Sequence, residues 1–151
     1  MNRPLRLLAA SLAFGAAVVG TAQAAEIRPV TCSVTIEYLR NDLLRSSYKR
    51  DFVVMPGETY FDDFSTAVRF GDFTATTRLE GNDTVVDVRY YNETTVFDTV
   101  QLNTKVALLN GNPNSSTGEH IFTTPAPTST GVINYVEHTT RYSLSCQRLK
   151  L

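Results

Sequence analysis

The strongest constraint on this chain is a two-residue alternation of apolar and polar side chains that recurs from residue 30 almost to the end. Val30, Cys32, Val34, Ile36 and Tyr38 share one parity, against Thr31, Ser33, Thr35 and Glu37. Phe73, Ala75, Thr77 and Leu79 oppose Thr74, Thr76, Arg78 and Glu80, and Val86, Val88 and Tyr90 follow. Near the end, Val136, Tyr142, Leu144 and Cys146 oppose Glu137, Thr139, Arg141, Ser143, Ser145 and Gln147. Successive side chains of an extended backbone point to opposite faces, so this pattern makes half-buried strands and does not fit the 3.6-residue period of a helix. Nineteen threonines follow residue 24, in company with Val, Tyr and Phe. Such residues suit a pleated, half-buried surface and are mediocre in helices.

Turn residues cut the pattern into strands. Pro56-Gly57, Gly71-Asp72 and Gly81-Asn82-Asp83 are breaks of this kind, and Asn92-Glu93-Thr94 separates two further runs. Asn41 to Ser47 is polar and reads as a connection with a helical turn around Leu43 and Leu44. Phe64, Thr66, Val68 and Phe70 alternate as a further strand, and a long one runs from Thr95 to Leu108. Asn110 to Gly131 holds Gly111, Pro113, Gly118, Pro125, Pro127 and Gly131 among many Ser and Thr, and reads as a long loop with a brief strand at His120 to Thr123. Val132 to Gln147 closes the chain as a strand.

The first 24 residues read differently. Arg3 and Arg6 precede Leu7 to Gly20, 14 uncharged and mostly apolar residues, and Ala22-Gln23-Ala24 supplies the small-x-small site of a secretory leader. The apolar run is shorter than the roughly 20 residues a membrane-spanning helix needs. Cleavage after Ala24 leaves a single β domain, residues 25–151, with no membrane span, and places it in the periplasm or outside the cell. Loss of Arg3 and Arg6 from 14 basic and 15 acidic side chains leaves a net charge of −3. That balance excludes a strongly basic nucleic-acid binder.

Cys32 and Cys146 lie near the two ends of the mature chain, each on the apolar parity of its strand. In an exported protein such a pair is expected to form one disulfide. No CxxC is present for a thioredoxin-type or zinc site. Seven to nine short strands with one wet and one dry face predict an all-β antiparallel two-sheet sandwich, immunoglobulin-like in outline; a small closed antiparallel barrel is the alternative.

Candidate chemistry is sparse. His120 and His138 each follow a glutamate, Glu119 and Glu137. Adjacent strand residues face opposite ways, so neither pair converges on a metal from a regular strand. Glu58, Asp62 and Asp63 cluster around Tyr60, Phe61 and Phe64 without the spacing of a calcium loop. Tyr90-Tyr91 can show one ring at most on each face. No GxSxG, HExxH or phosphate-binding glycine loop occurs. Three Asn-x-Ser/Thr triplets start at Asn82, Asn92 and Asn114 and matter only in a eukaryotic secretory pathway.

The reading that follows is an exported, non-catalytic β-domain with no cofactor, metal or catalytic residue, serving as a binding or structural protein of the envelope or extracellular space. Its candidate partner-binding loop carries His120 and, as apolar anchor, Phe122; an exposed edge strand is a second route to a protein partner. The alternatives are a barrel carrying a small apolar ligand and a secreted hydrolase with an unrecognised site. Intact mass measurement of the exported, unreduced protein checks the first steps: it should begin at Ala25 and contain no free thiol. A retained leader or two thiols would contradict them.

Overall fold

The computed structural model describes residues 28–93 and 98–149; residues 1–24, read as the leader, and 95–97 of the expected long strand lie outside the described residues. Eight strands are present among the described residues: β1 (Val30–Arg40), β2 (Leu43–Val54), β3 (Thr59–Asp63), β4 (Gly71–Glu80), β5 (Asp83–Glu93), β6 (Thr99–Leu108), β7 (Asn114–Pro127) and β8 (Ile133–Arg148). They form two antiparallel sheets of four, ordered β2-β1-β8-β7 and β3-β4-β5-β6. The sheets do not close into a barrel, so the barrel alternative is set aside in favour of the sandwich.

The alternation does what it dictates. Val30, Cys32, Val34, Ile36 and Tyr38 of β1 are buried and face Phe73, Ala75, Val86, Val88 and Tyr90 of the other sheet. Between the sheets lies an aromatic cluster. Tyr48 packs on Phe64, Phe73 and Tyr90 with ring centroids 4.9, 5.2 and 5.3 Å apart, and Phe52 stacks on Tyr60 at 4.9 Å. One open side of the sandwich is latched by Asp62 of β3, which accepts from Tyr48 Oη at 2.8 Å and from Arg50 Nε at 2.7 Å, both on β2.

Three sequence expectations are corrected. Leu43 and Leu44 belong to β2, not to a helical turn, because Asn41 and Asp42 both take positive φ (50° and 61°). Two such residues make the tight turn whose twist matches a hairpin, and Leu43 pairs at once with Arg40. Phe64 to Phe70 is a bend, not a strand, bridged only at Thr66–Arg69. Phe64 turns its ring back over Gly71 and the core while Val68 and Phe70 stay exposed, so their shared parity buried nothing. Most of Asn110–Gly131 is the 14-residue strand β7 and not a loop. Its glycine and prolines are tolerated because of the phase of its hydrogen bonds.

β1 lies between β2 and β8, so the first and last strands are neighbours. Their register sets Cys32 directly opposite Cys146, and the two are disulfide-bonded with Cα atoms 4.1 Å apart. The bond closes a loop spanning 114 residues of sequence. Replacing both cysteines (Cys32→Ser with Cys146→Ser) should lower unfolding free energy by about 2–5 kcal/mol, read from the denaturant midpoint at unchanged slope. An unchanged midpoint would contradict this.

Candidate functional site

The end of the sandwich that carries the β1–β2, β3–β4 and β7–β8 turns is asymmetric. β1 stops at Arg40, opposite His138. β7 and β8 continue as a two-stranded arm through the pairs Thr123–Glu137, Thr124–Val136, Pro125–Tyr135, Ala126–Asn134 and Pro127–Ile133. Five further pairs carry the arm roughly 17 Å past the end of β1. Val132, Ile133 and Tyr135 are 59%, 57% and 69% exposed on it.

The base of the arm is fixed by a buried polar chain. His138 is 3% exposed. Its Nδ1 lies 2.6 Å from Tyr38 Oη and its Nε2 lies 2.7 Å from Thr124 Oγ1. Tyr38 Oη in turn donates to the Asp98 carboxylate, which lies 3.6 Å from Arg40 Nη1. With Tyr38 donating to Asp98, its oxygen accepts from Nδ1–H, and Nε2 accepts from the Thr124 hydroxyl; every polar hydrogen finds an acceptor. Phe122 lies flat on the imidazole, 4.6 Å between centroids and 4° between planes, and keeps 40% of its surface exposed. Three strands and the segment before β6 are thus tied together by one ring.

The sequence candidates fall into place as follows. His120 is exposed on β7, 5.7 Å from the Phe122 ring, and does not join His138. Glu119 points to the opposite face and pairs with Arg141 Nε at 2.7 Å. No group of three metal-ligating side chains converges among the described residues. Of the acidic cluster, Asp62 is engaged by Tyr48 and Arg50, and Asp63 accepts the Ser65 N–H at 2.9 Å as the start of a turn. Tyr90 is in the core, while Tyr91 on the other face donates to Glu93 at 3.1 Å. Sequence reasoning missed Tyr38 and Thr124 as partners of His138, and Asp98 as the partner of Tyr38. The shared parity of His138 with Val136 and Leu144 was the signal that it faces inward.

Backbone hydrogen bonds fix which residues of β7 face outward along its free edge. Leu149 N–H donates to Pro29 O at 2.8 Å and Asn41 N–H to Glu137 O at 2.9 Å. Odd-numbered residues of β8 therefore turn their backbone groups to β1 and even-numbered ones to β7. Thr128 N–H donating to Val132 O at 3.2 Å continues this phase to the tip. Since even pairs with even in the β7–β8 register, the odd residues of β7 direct N–H and C=O to the free edge. Pro125 and Pro127 sit at such outward positions, where a missing N–H breaks no bond in the sheet.

Compared with protein-family models and with curated proteins, the chain matches none.

Buried phenols give this region and the core a pH signature. Burial, reinforced by the hydrogen bond to Asp98, pushes the Tyr38 phenol up to about 12. Burial alone pushes Tyr90 up to about 12, and burial with the hydrogen bond to Asp62 pushes Tyr48 up as well. These folded-state values lie above the value of about 10 in an unfolded chain. Their contribution to stability is therefore complete below pH 10 and lost as pH rises through about 12. Phenolate absorbance should show a late-titrating fraction whose ionisation coincides with unfolding. Titration of all tyrosines near pH 10 with the fold intact would contradict it.

Proposed function

We propose that the chain is an exported, non-catalytic binding domain of the envelope or extracellular space, and that its β7–β8 arm engages a protein partner. One observation carries this reading: Ile133 and Tyr135 are large, exposed and on the same face of a ribbon that projects beyond the sandwich, with Val132 exposed at its turn. Scattered exposed apolar residues are ordinary, but a contiguous group on a projecting element is the usual mark of an interaction site.

Other features support it. The leader-like start and the buried disulfide suit an oxidising compartment. No helix among the described residues is long and apolar enough to cross a membrane. The aromatic packing between the sheets favours a filled core over a carrier's cavity. The chain Thr124–His138–Tyr38 has a hydroxyl beside an imidazole, as nucleophilic catalysis requires. Its imidazole is buried beneath Phe122, which favours a positioning role over attack on a substrate.

The test is affinity capture from the native envelope fraction, with the wild-type mature domain against Ile133→Ser combined with Tyr135→Ser. Both side chains are exposed, so the melting temperature should hold. Recovery of the captured partner should fall at least tenfold. Equal recovery of every protein would remove the arm from the account.

A further inference from the structure

A two-sheet sandwich leaves four strand edges, and native proteins blunt them to prevent unplanned strand pairing. Three are blunted here. β2 carries Arg45, Lys49, Arg50 and Asp51, and β3 is only five residues long. On β6, Asn114 Nδ2 donates to Ala107 O at 2.9 Å, capping one end beside Lys105. β7 is different. From Ser115 to Thr123 its outward backbone positions carry no proline or lysine, and its one acidic side chain, Glu119, is already neutralised by Arg141. The edge closes only at Pro125 and Pro127.

We propose that this edge pairs with the same edge of a second copy of the chain, joining two four-stranded sheets into one eight-stranded sheet across a two-fold axis at His120. The proposal is independent of the arm's partner.

The side chains select this occupant and this register. Antiparallel pairing about His120 sets Thr117 opposite the partner copy's Thr123 and Glu119 opposite its Ile121. These are the outward positions, so all four exchange backbone hydrogen bonds. The next outward pair would place Ser115 against Pro125, which has no N–H, so the ladder ends there by itself on both sides. Between the bonded pairs, Gly118 falls opposite Phe122 of the other copy. Gly118 has no side chain because the Tyr142 ring lies across it, where a Cβ would collide. The half-exposed Phe122 ring, held flat on His138, would there meet the Tyr142 ring that covers the other copy's Gly118. Two such aromatic contacts, related by the axis, form only when this strand meets its own copy. A segment of unrelated sequence makes no use of the match.

Sedimentation of the mature domain over a concentration series tests this, with Ile121→Pro as the variant. That substitution removes an outward N–H and no hydrogen bond inside the protomer, as Pro125 and Pro127 already do. Wild type should be a dimer, and Ile121→Pro should raise its dissociation constant at least tenfold. Ile121→Lys, which adds a charge at the edge, serves if the proline variant fails to fold. His120→Cys should cross-link into a disulfide-bonded dimer under mild oxidation, because the axis brings the two positions face to face. A wild type that is monomeric throughout, or an Ile121→Pro dimer as tight as wild type, overturns the proposal. So does a monomer whose capture of an envelope protein is lost with Ile121→Pro, since the edge would then take a foreign strand.

Discussion

Everything in this fold depends on the lateral pairing of the first strand with the last. β1 is an inner strand of its sheet, with β2 on one side and β8 on the other, and is register-matched to β8 from Val30 to Arg40. A buried inner strand must have both rows of backbone groups satisfied, and unpaired ones are costly. The second row of β1 is satisfied only when the chain returns from more than a hundred residues away. That requirement orders the topology. The chain leaves after β2, builds the second sheet as a meander of β3 to β6, and re-enters through β7 so that β8 lands beside β1. The disulfide follows from this placement, because the matched register brings two inward-facing cysteines into direct opposition. Contacts this distant in sequence are paid for in loop-closure entropy, and they make folding slow relative to helical domains of the same size.

The same pairing explains why the projecting arm and the buried polar chain gather at one end. β8 is longer than β1, and where β1 stops, β7 and β8 go on alone as the arm. At that junction the sheet loses a strand, and the chain Asp98–Tyr38–His138–Thr124 supplies polar contacts that hold the ribbon in line. The flat stacking of Phe122 on His138 then places an aromatic ring at the rim of the β7 edge. The projecting arm and its polar anchor are therefore two aspects of a single inequality in strand length.

How much of this was legible in the sequence depended on whether a feature was local. Alternation placed β1, β4, β5 and β8 and the inward parity of both cysteines, because a side chain's face follows from position along its own strand. β7 was hidden by its composition. Gly118, Pro125 and Pro127 are strand breakers in isolation, and they are tolerated here by an edge position and a hydrogen-bond phase that only the β8 pairing defines. Phe64 to Phe70 failed the other way: the pattern was right for a strand, but tertiary packing took Phe64 alone. His120 and Phe122 were singled out as parts of a loop, and they prove to be neighbours on an edge strand. The partners of His138 come from strands and segments far apart in the chain, Tyr38 lying 100 residues away, and no local pattern announces them.

The most direct measurement is a set of cross-strand Hα–Hα nuclear Overhauser effects in the oxidised domain. Antiparallel strands bring Hα atoms closest at the pairs that do not share hydrogen bonds. The register of β8 with its two neighbours requires such effects between Cys32 and Cys146, Val34 and Leu144, and Ile36 and Tyr142, and between Thr117 and Ser143 on the β7 side. Their appearance at these pairs would establish both the adjacency of the chain's two ends and the phase that opens the β7 edge. Their absence, with the two cysteines instead joining strands of opposite sheets, would contradict the account at its root.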